Sequence, residues 1–348
     1  MARICVAGVG AVGATIAARL IASGETVTLL ARGARLAQLR RDGLRVDFGA
    51  DKIDTRPPVA DQPEFGIQDI VFIAVKAQGL AELLPTLAPL IGPHTLVVPL
   101  VNGIPWWYFQ GAGGPFDGEP VIAVDPRGTL RDSIAAHHLI GCVVYVTAQL
   151  LPTGRVSVMG SQRLTVGRIS NGASAPAIGL AALLSRAGIT ATSSERLRDD
   201  LWTKVALNLA TNPLSVVTEA TLLDQFTDPQ LLPIVSAVLE ETSRVAQGHN
   251  ASPTLSMDEM IATGRNAGAF ETSMLQDYRA GRALELDAIG YGVLELAKKI
   301  GQAMPTTRLI VDLCAHRAAK RDHSPNDIAG FSGAINGASR TSRNGRLI

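Results

Sequence analysis

Residues 3–31 read RICVAGVGAVGATIAARLIASGETVTLLA, and the fold follows from how this stretch is divided. RICVA is a short apolar strand. GVGAVG follows at once, then a small-residue helix over 11–23 that stops at Gly24, then a second strand, TVTLLA, over 26–31. Strand, glycine turn, helix and strand within about thirty residues make a βαβ unit. Gly8, Gly10 and Gly13 match GxGxxG. In that context Gly8 permits the tight turn, and Gly10 lets the backbone approach a pyrophosphate. Gly13 lets helix and strand pack closely, and the helix N-terminus favours the anion. A dinucleotide held along Gly8, Val9, Gly10, Ala11, Val12 and Gly13 is the expectation. An NAD site would place Asp or Glu at the end of the second strand. Here Leu30 and Ala31 lead instead to Arg32, a cation suited to a 2′-phosphate, which favours NADP.

The same pattern continues. DIVFIAV (69–75) and TLVVPLV (95–101) are apolar runs of the kind buried in a parallel sheet. Leu80, Leu83, Leu84 and Leu87 between them read as a helix over 79–91. Lys76 follows the first run directly and Asn102 the second. Ligands of open α/β sheets bind beyond the carboxyl ends of the strands, so both residues are candidates to line a crevice. A looser, aromatic region over 103–120 follows, with Trp106, Trp107 and Tyr108 read as a packing cluster near Asn102. Strand-like pieces resume at 120–124, 140–150 and 163–167.

The chain has 348 residues, a length that favours two domains. Charged residues are 18% and nearly balanced, giving a net charge of +1, which offers no nucleic-acid or membrane-surface footprint. The 3 cysteines are far apart and the 6 histidines scattered. Neither a disulfide framework nor a metal site is expected, and the thiols read as buried in a reducing compartment. The start of the chain could imitate a signal peptide. Its apolar run is instead punctuated by the three glycines and flows into a second strand. No apolar segment reaches the ~20 residues needed to span a bilayer, so the expected location is cytoplasmic.

After about residue 172 the texture changes: NGASAPA (171–177) reads as a hinge or linker, and 176–320 reads as helical, broken by Pro213, Pro229, Pro253 and Pro305. Residues 200–215, DLWTKVALNLATNPLS, form an apolar helix on which Lys204, Asn208 and Asn212 fall at four-residue spacing, and so on one face. Unpaired buried polar groups cost about 1–3 kcal/mol each, so this stripe must dock on another element or line a cleft. In a cleft beside a nicotinamide, a partly buried lysine is a suitable acid for a ketone oxygen, and amides can both donate and accept. In 271–287, ETSMLQDYRAGRALELD, Ser273, Asp277 and Glu285 stand out, with Gly281 and Arg282 in a turn. A cap and a surface ion pair would explain them as well as a ligand would.

Taken in order, GVGAVG, VKA (75–77), VNG (101–103), KVALNLATNPLS (204–215), TSMLQDYRAGRALELDAI (272–289) and MP (304–305) resemble the ketopantoate reductase (2-dehydropantoate 2-reductase) family, over about residues 1–325. The resemblance implies an α/β N-terminal Rossmann domain and an all-α C-terminal domain of the 6-phosphogluconate dehydrogenase C-terminal-like type. The expected division is 1–172, 173–330 and a mobile Gly/Ser/Arg-rich tail, 331–348. The implied activity is NADPH-dependent reduction of 2-dehydropantoate to (R)-pantoate in pantothenate biosynthesis, or of a related small 2-oxo acid. The family's general-acid lysine falls on Lys204, with Glu285 beside it as a catalytic residue that also touches cofactor. Its substrate contacts fall on Asn102, Asn208, Asn212, Ser273 and Glu285. Its cofactor contacts fall on the glycine turn, Arg32, Lys76 and Asn102. A homodimer stays open. The chain departs from the family in its aromatic stretch 104–120, in Phe270 three residues before Ser273, and in the tail. A 3-hydroxyacid dehydrogenase of the 6-phosphogluconate type and a non-catalytic NADPH sensor remain the alternatives.

Overall fold

A computed structural model describes residues 1–322 of the chain. The tail expected over 331–348, and the last residues of the expected second domain, lie outside the described residues. Strands β1 (Arg3–Ala7), β2 (Thr26–Leu30), β5 (Val59–Ala60), β6 (Gln68–Ile73) and β7 (Ile91–Pro99) form a parallel sheet in the order β5-β2-β1-β6-β7. The chain runs outward from β1 to β2 and β5, then returns to β6 on the other side of β1. The carboxyl ends of β1 and β6 therefore flank the switch point, where an open sheet leaves a crevice.

A second sheet, absent from the sequence reading, joins β3 (Leu44–Phe48), β4 (Asp51–Thr55), β8 (Ile140–Leu150), β9 (Val156–Arg168) and β10 (Thr190–Ser193). The long strand β9 holds it together. Its first residues pair with β3, its last with β10, and its other edge with β8. Helix α1 (Ala11–Ala22) lies between the sheets. Its buried positions Gly13, Ala14, Thr15, Ala17 and Ala18 are small enough to let β-structure approach from more than one side. Helix α2 (Gly33–Asp42) follows β2.

Three local expectations differ from the structure. The helix read over 79–91 is only one α-turn, α3 (Leu80–Leu83), continued as 3₁₀ turns through Leu90. Pro85 and Pro89 cannot supply the N–H groups a longer α-helix needs. The strand piece at 120–124 is a turn, closed by the N–H groups of Val124 and Asp125 on the Val121 carbonyl. The short helix α4 (Thr129–Ser133) follows it. The start of the stretch read as helical over 176–320 holds α5 (Ala175–Arg186) and then the strand β10, and both pack on β9.

Beyond residue 196 the described chain is helical: α6 (Leu197–Thr218), α7 (Leu222–Thr227), α8 (Leu232–Gly248), α9 (Met257–Asn266), α10 (Ser273–Arg279), α11 (Gly292–Lys299) and α12 (Pro305–Asp322). A π-helical turn, Asp287–Tyr291, leads into α11. No described helix is long and apolar enough to cross a membrane. The aromatic stretch is core. Trp106, Trp107, Tyr108 and Phe109 are buried in one cluster with Leu197 and Trp202 of α6. Trp202 donates to the Tyr108 hydroxyl, and the buried Arg198 guanidinium donates to the carbonyls of Tyr108, Ile169 and Gln110. This joins the N-terminal half firmly to α6.

Candidate active site

The glycine turn sits as its spacing predicts. Gly8 has φ +99°, and a Cβ there would stand 2.7 Å from the backbone of Ala74 and Val75 just past β6. A Cβ on Gly13 would meet the Gly8 carbonyl at 2.1 Å. Gly10 is different, for a Cβ there would meet nothing within 4 Å. It is the N-cap of α1, with no side-chain cap and no acid in the first turn. Free first-turn N–H groups and open space beside Gly10 suit an anion of the size of a pyrophosphate. Val9, Ala11 and Val12 belong to the same turn and its helix start. The residues present therefore fit a dinucleotide. Arg35 pins the turn from below, donating from Nε to the Val9 carbonyl at 2.7 Å.

Arg32 stands where the second strand gives way to α2, and its guanidinium pairs with Glu82. Both side chains are largely in solvent, and exposed pairs of this kind contribute about 0–1 kcal/mol. A ligand phosphate could replace the Glu82 contact at little cost.

The polar stripe of α6 meets the ends of the parallel strands. Lys204 Nζ donates to Asn102 Oδ1 at 2.7 Å and to the Val144 carbonyl of β8. Asn102 Nδ2 donates to Glu285 Oε2 at 3.4 Å, and Glu285 Oε1 accepts from the Ala77 N–H at 3.3 Å. Lys204, Asn102 and Glu285 thus form one chain of hydrogen bonds across the two halves. Burial is the chief cause that lowers the Lys204 ammonium from 10.5 to about 8, and the charge of Glu285 works against it. A lysine in that range holds a proton at neutral pH and gives it up readily.

The other predicted residues are placed as follows. Asn208 lies one turn beyond Lys204 on the same face, and its side chain makes no hydrogen bond among the described residues. Asn212 is buried one turn further, and Pro213 does not end the helix, which runs on to Thr218. Thr272, the N-cap of α10, bonds Ser215 of α6 hydroxyl to hydroxyl at 2.6 Å. That contact holds Ser273, the first residue of α10, beside the far end of the stripe with its hydroxyl exposed and unbonded. Lys76 does not join the Asn102 chain. It pairs with the buried carboxylate of Asp277 on α10, which also accepts from Arg282 Nε at 2.7 Å.

Two contributors escaped the sequence reading. The Val144 carbonyl is a backbone group with no sequence signature. Gln78, which donates to the Leu284 carbonyl at 2.9 Å, carries no sign of a partner 206 residues away. A broader surface cleft exists at the amino-terminal ends of β6 and β7, lined by Asp69, His94, Leu96 and Leu180. It lies at the opposite end of the strands from the glycine turn and Lys204.

Comparison with known proteins agrees with this geometry. Residues 4–171 match the family model described as ketopantoate reductase PanE/ApbA, and residues 196–318 match its C-terminal counterpart. A 2-dehydropantoate 2-reductase of Mesorhizobium japonicum is 33% identical over 321 residues, covering 92% of this chain and 98% of that protein. A crystal structure from Ralstonia solanacearum MolK2, named as a candidate ketopantoate reductase, superposes with a TM-score of 0.87 at 36% identity, covering 92% of this chain and 99% of that one. A ternary structure of D-mandelate dehydrogenase with NADH and anilino(oxo)acetate shares the fold, with a TM-score of 0.80 at 23% identity over 92% of this chain and 99% of that one. With an α/β half built on a glycine turn, a helical half that supplies the lysine, and these matches along both, the chain belongs to the ketopantoate reductase PanE/ApbA family.

Proposed function

We propose that the chain is an NADPH-dependent reductase of a small 2-oxo acid, with 2-dehydropantoate, reduced to (R)-pantoate, as the foremost substrate. One observation carries this reading: Lys204, Asn102 and Glu285 are linked by hydrogen bonds at the strand ends beside the glycine turn. The names of the relatives supply the substrate class. When bound along the turn, the cofactor supplies the hydride that reaches the ketone carbon. The protein's part is to hold the ketone and give its oxygen a proton. Lys204 Nζ is the donor. Asn102, which already bonds both Lys204 and Glu285, fixes the ammonium and orients the substrate. Glu285 holds Asn102 and the Ala77 N–H, so it stabilises the cleft from the helical side. Asn208 and Ser273 offer unbonded polar groups for the substrate's hydroxyl and carboxylate, with Asn212 behind them. Arg32 takes the 2′-phosphate in place of Glu82, and Lys76 lines the cofactor side of the crevice. Closure of the two halves over the cleft would keep bulk water from the reaction.

An NADPH-oxidation assay with 2-dehydropantoate beside pyruvate, oxaloacetate and 2-oxoisovalerate tests the reading. Turnover of a 2-oxo acid, faster with NADPH than with NADH, is expected. Oxidation of 3-hydroxy acids in preference would point to the 6-phosphogluconate-type reaction, and NADPH binding without consumption across the panel to a sensor.

The lysine fixes a pH dependence. An acid must be protonated to act, and the Lys204 ammonium loses its proton near pH 8. The kcat/KM for reduction, which reports the free enzyme's acid, should be level below that pH and fall about tenfold per unit above it. Steady-state rates from about pH 6 to about pH 10 check this, and a level profile throughout would contradict it.

A further inference from the structure

The groups that hold the Lys204 ammonium are all neutral where they touch it. Its hydrogen bonds go to the Asn102 amide oxygen and to the Val144 carbonyl. Nearby is a ring, for Nζ stands 5.6 Å from the centroid of Tyr145. Among the described residues no carboxylate pairs with it directly, and Glu285 connects to it through Asn102. The difference matters for an acid. A carboxylate in contact would favour the ammonium strongly and make it a poor donor. Carbonyl dipoles and an aromatic face hold the cation with a smaller bias, so burial still decides its acidity.

Strand β8 builds this wall. Its register against β9 shifts between Tyr145 and Thr147, so Val146 alone stands opposite residues 160–162. Bulges of this kind re-aim side chains beside functional sites. Tyr145 comes directly before the bulge and directly after the carbonyl that Lys204 uses. Its cross-strand neighbour Arg163 lays its guanidinium over the same ring, 4.3 Å from the centroid. One ring therefore serves two cations, the half-buried Lys204 and the exposed Arg163.

We propose that Tyr145 is a positioning residue for Lys204, its ring forming a neutral wall of the ammonium site, and that Arg163 on the same ring weakens that wall's hold on the lysine's charge. The proposal rests on Lys204 being the proton donor. The other titratable groups facing the ammonium are Cys142 on β8, Glu285 on the helical side, and Asp200 one turn earlier on α6. Burial holds the Cys142 thiol up at about 12, so it is neutral at working pH, and burial also raises the Asp200 carboxyl. Substitution at Tyr145 leaves all three in place, and Arg163, whose charge lowers the Asp200 carboxyl, is substituted in an Asp200→Asn background so that this group stays neutral throughout. The directions are therefore opposite: loss of the ring removes attraction for the cation, and loss of Arg163 removes repulsion.

The Lys204 pKa can be read without turnover, from the pH dependence of its acetylation by acetic anhydride, followed by peptide mass spectrometry. Tyr145→Leu should move the midpoint down by about half a unit or more, the range a cation–π contact covers. Tyr145→Phe, which keeps the ring, should leave it in place. Arg163→Gln should move it up. An unmoved midpoint in a folded Tyr145→Leu variant, or an equal fall in Tyr145→Phe, overturns the proposal. Should the Leu variant fail to fold, the surface variant Arg163→Gln decides, and no upward movement there overturns it. The proton-donor reading fails separately, by retained turnover in a variant lacking the lysine, whatever the labelling midpoints do.

Discussion

Lys204→Ala should lower turnover of the 2-oxo acid about 10²–10⁴-fold, the range for a lost general acid, with NADPH affinity unchanged. The cofactor half of the prediction comes from geometry. The glycine turn, Arg32 and Lys76 belong to the strand ends of the N-terminal half, and Lys204 makes no hydrogen bond to any of them; of the expected cofactor contacts it bonds Asn102 alone, whose amide Glu285 still holds when the lysine is gone. The catalytic half comes from the lysine's surroundings. Burial favours its neutral form, so at working pH the structure keeps a proton there at some expense. Removing the side chain relieves that expense and leaves two carbonyl oxygens, Asn102 Oδ1 and the Val144 carbonyl, which a water can serve. The variant should therefore fold, and its melting temperature should stay near that of the parent. Lys204→Arg should not restore turnover, because a guanidinium does not give up its proton in this pH range. The checks are steady-state rates, a binding titration with NADPH and a melting curve. Near-normal turnover in Lys204→Ala would remove the lysine from the chemistry and leave the polar stripe as a docking surface.

The parts of this site that could be read in the sequence are those whose geometry is local. GVGAVG needs only its own six residues and the strand and helix on either side. Lys204, Asn208 and Asn212 share a face because a helix repeats, whatever it packs against. The parts that could not be read depend on partners far along the chain. Asn102 joins Glu285 across 183 residues and Lys76 joins Asp277 across 201, and no spacing rule reaches that distance. The second sheet was missed for the same reason, since β9 chooses among β3, β8 and β10 by tertiary packing. At 79–91 the leucines gave a helical period, but two prolines held the segment to 3₁₀ turns. Trp106, Trp107 and Tyr108 read as a packing cluster because aromatic residues run together there, and they are buried core tied down by Arg198 and Trp202.

Gly103→Ala should damage both stability and turnover, and it tests whether the two halves must meet at one fixed contact. Gly103 closes the VNG stretch directly after Asn102. Its φ is +74°, a left-handed conformation that costs a non-glycine residue about 1–2 kcal/mol. A Cβ there would stand 2.4 Å from the carbon and oxygen of the Ala288 carbonyl, and 2.8 Å from the Ile289 nitrogen. These are main-chain atoms of the π-helical turn, and the next residue, Ile104, donates its N–H to that same Ala288 carbonyl at 2.8 Å. No side-chain rotation can relieve the clash, so the backbone of one half must retreat from the other. Strain of this kind adds about 1–3 kcal/mol, giving a total loss of about 2–5 kcal/mol. The same retreat separates Asn102, one residue before the glycine, from Glu285, three residues before Ala288. The bond between them is already 3.4 Å long and has little room to stretch. A shift of about 1 Å at a reacting centre can cost on the order of 10²-fold in rate, so a loss of that size is expected on top of the destabilisation. Thermal unfolding and steady-state kinetics on the purified variant measure the two effects separately. If Gly103→Ala melted and turned over like the parent, the contact at Ala288 would not be what holds Asn102 against Glu285, and the alignment of Lys204 would have to come from α6 and β8 alone.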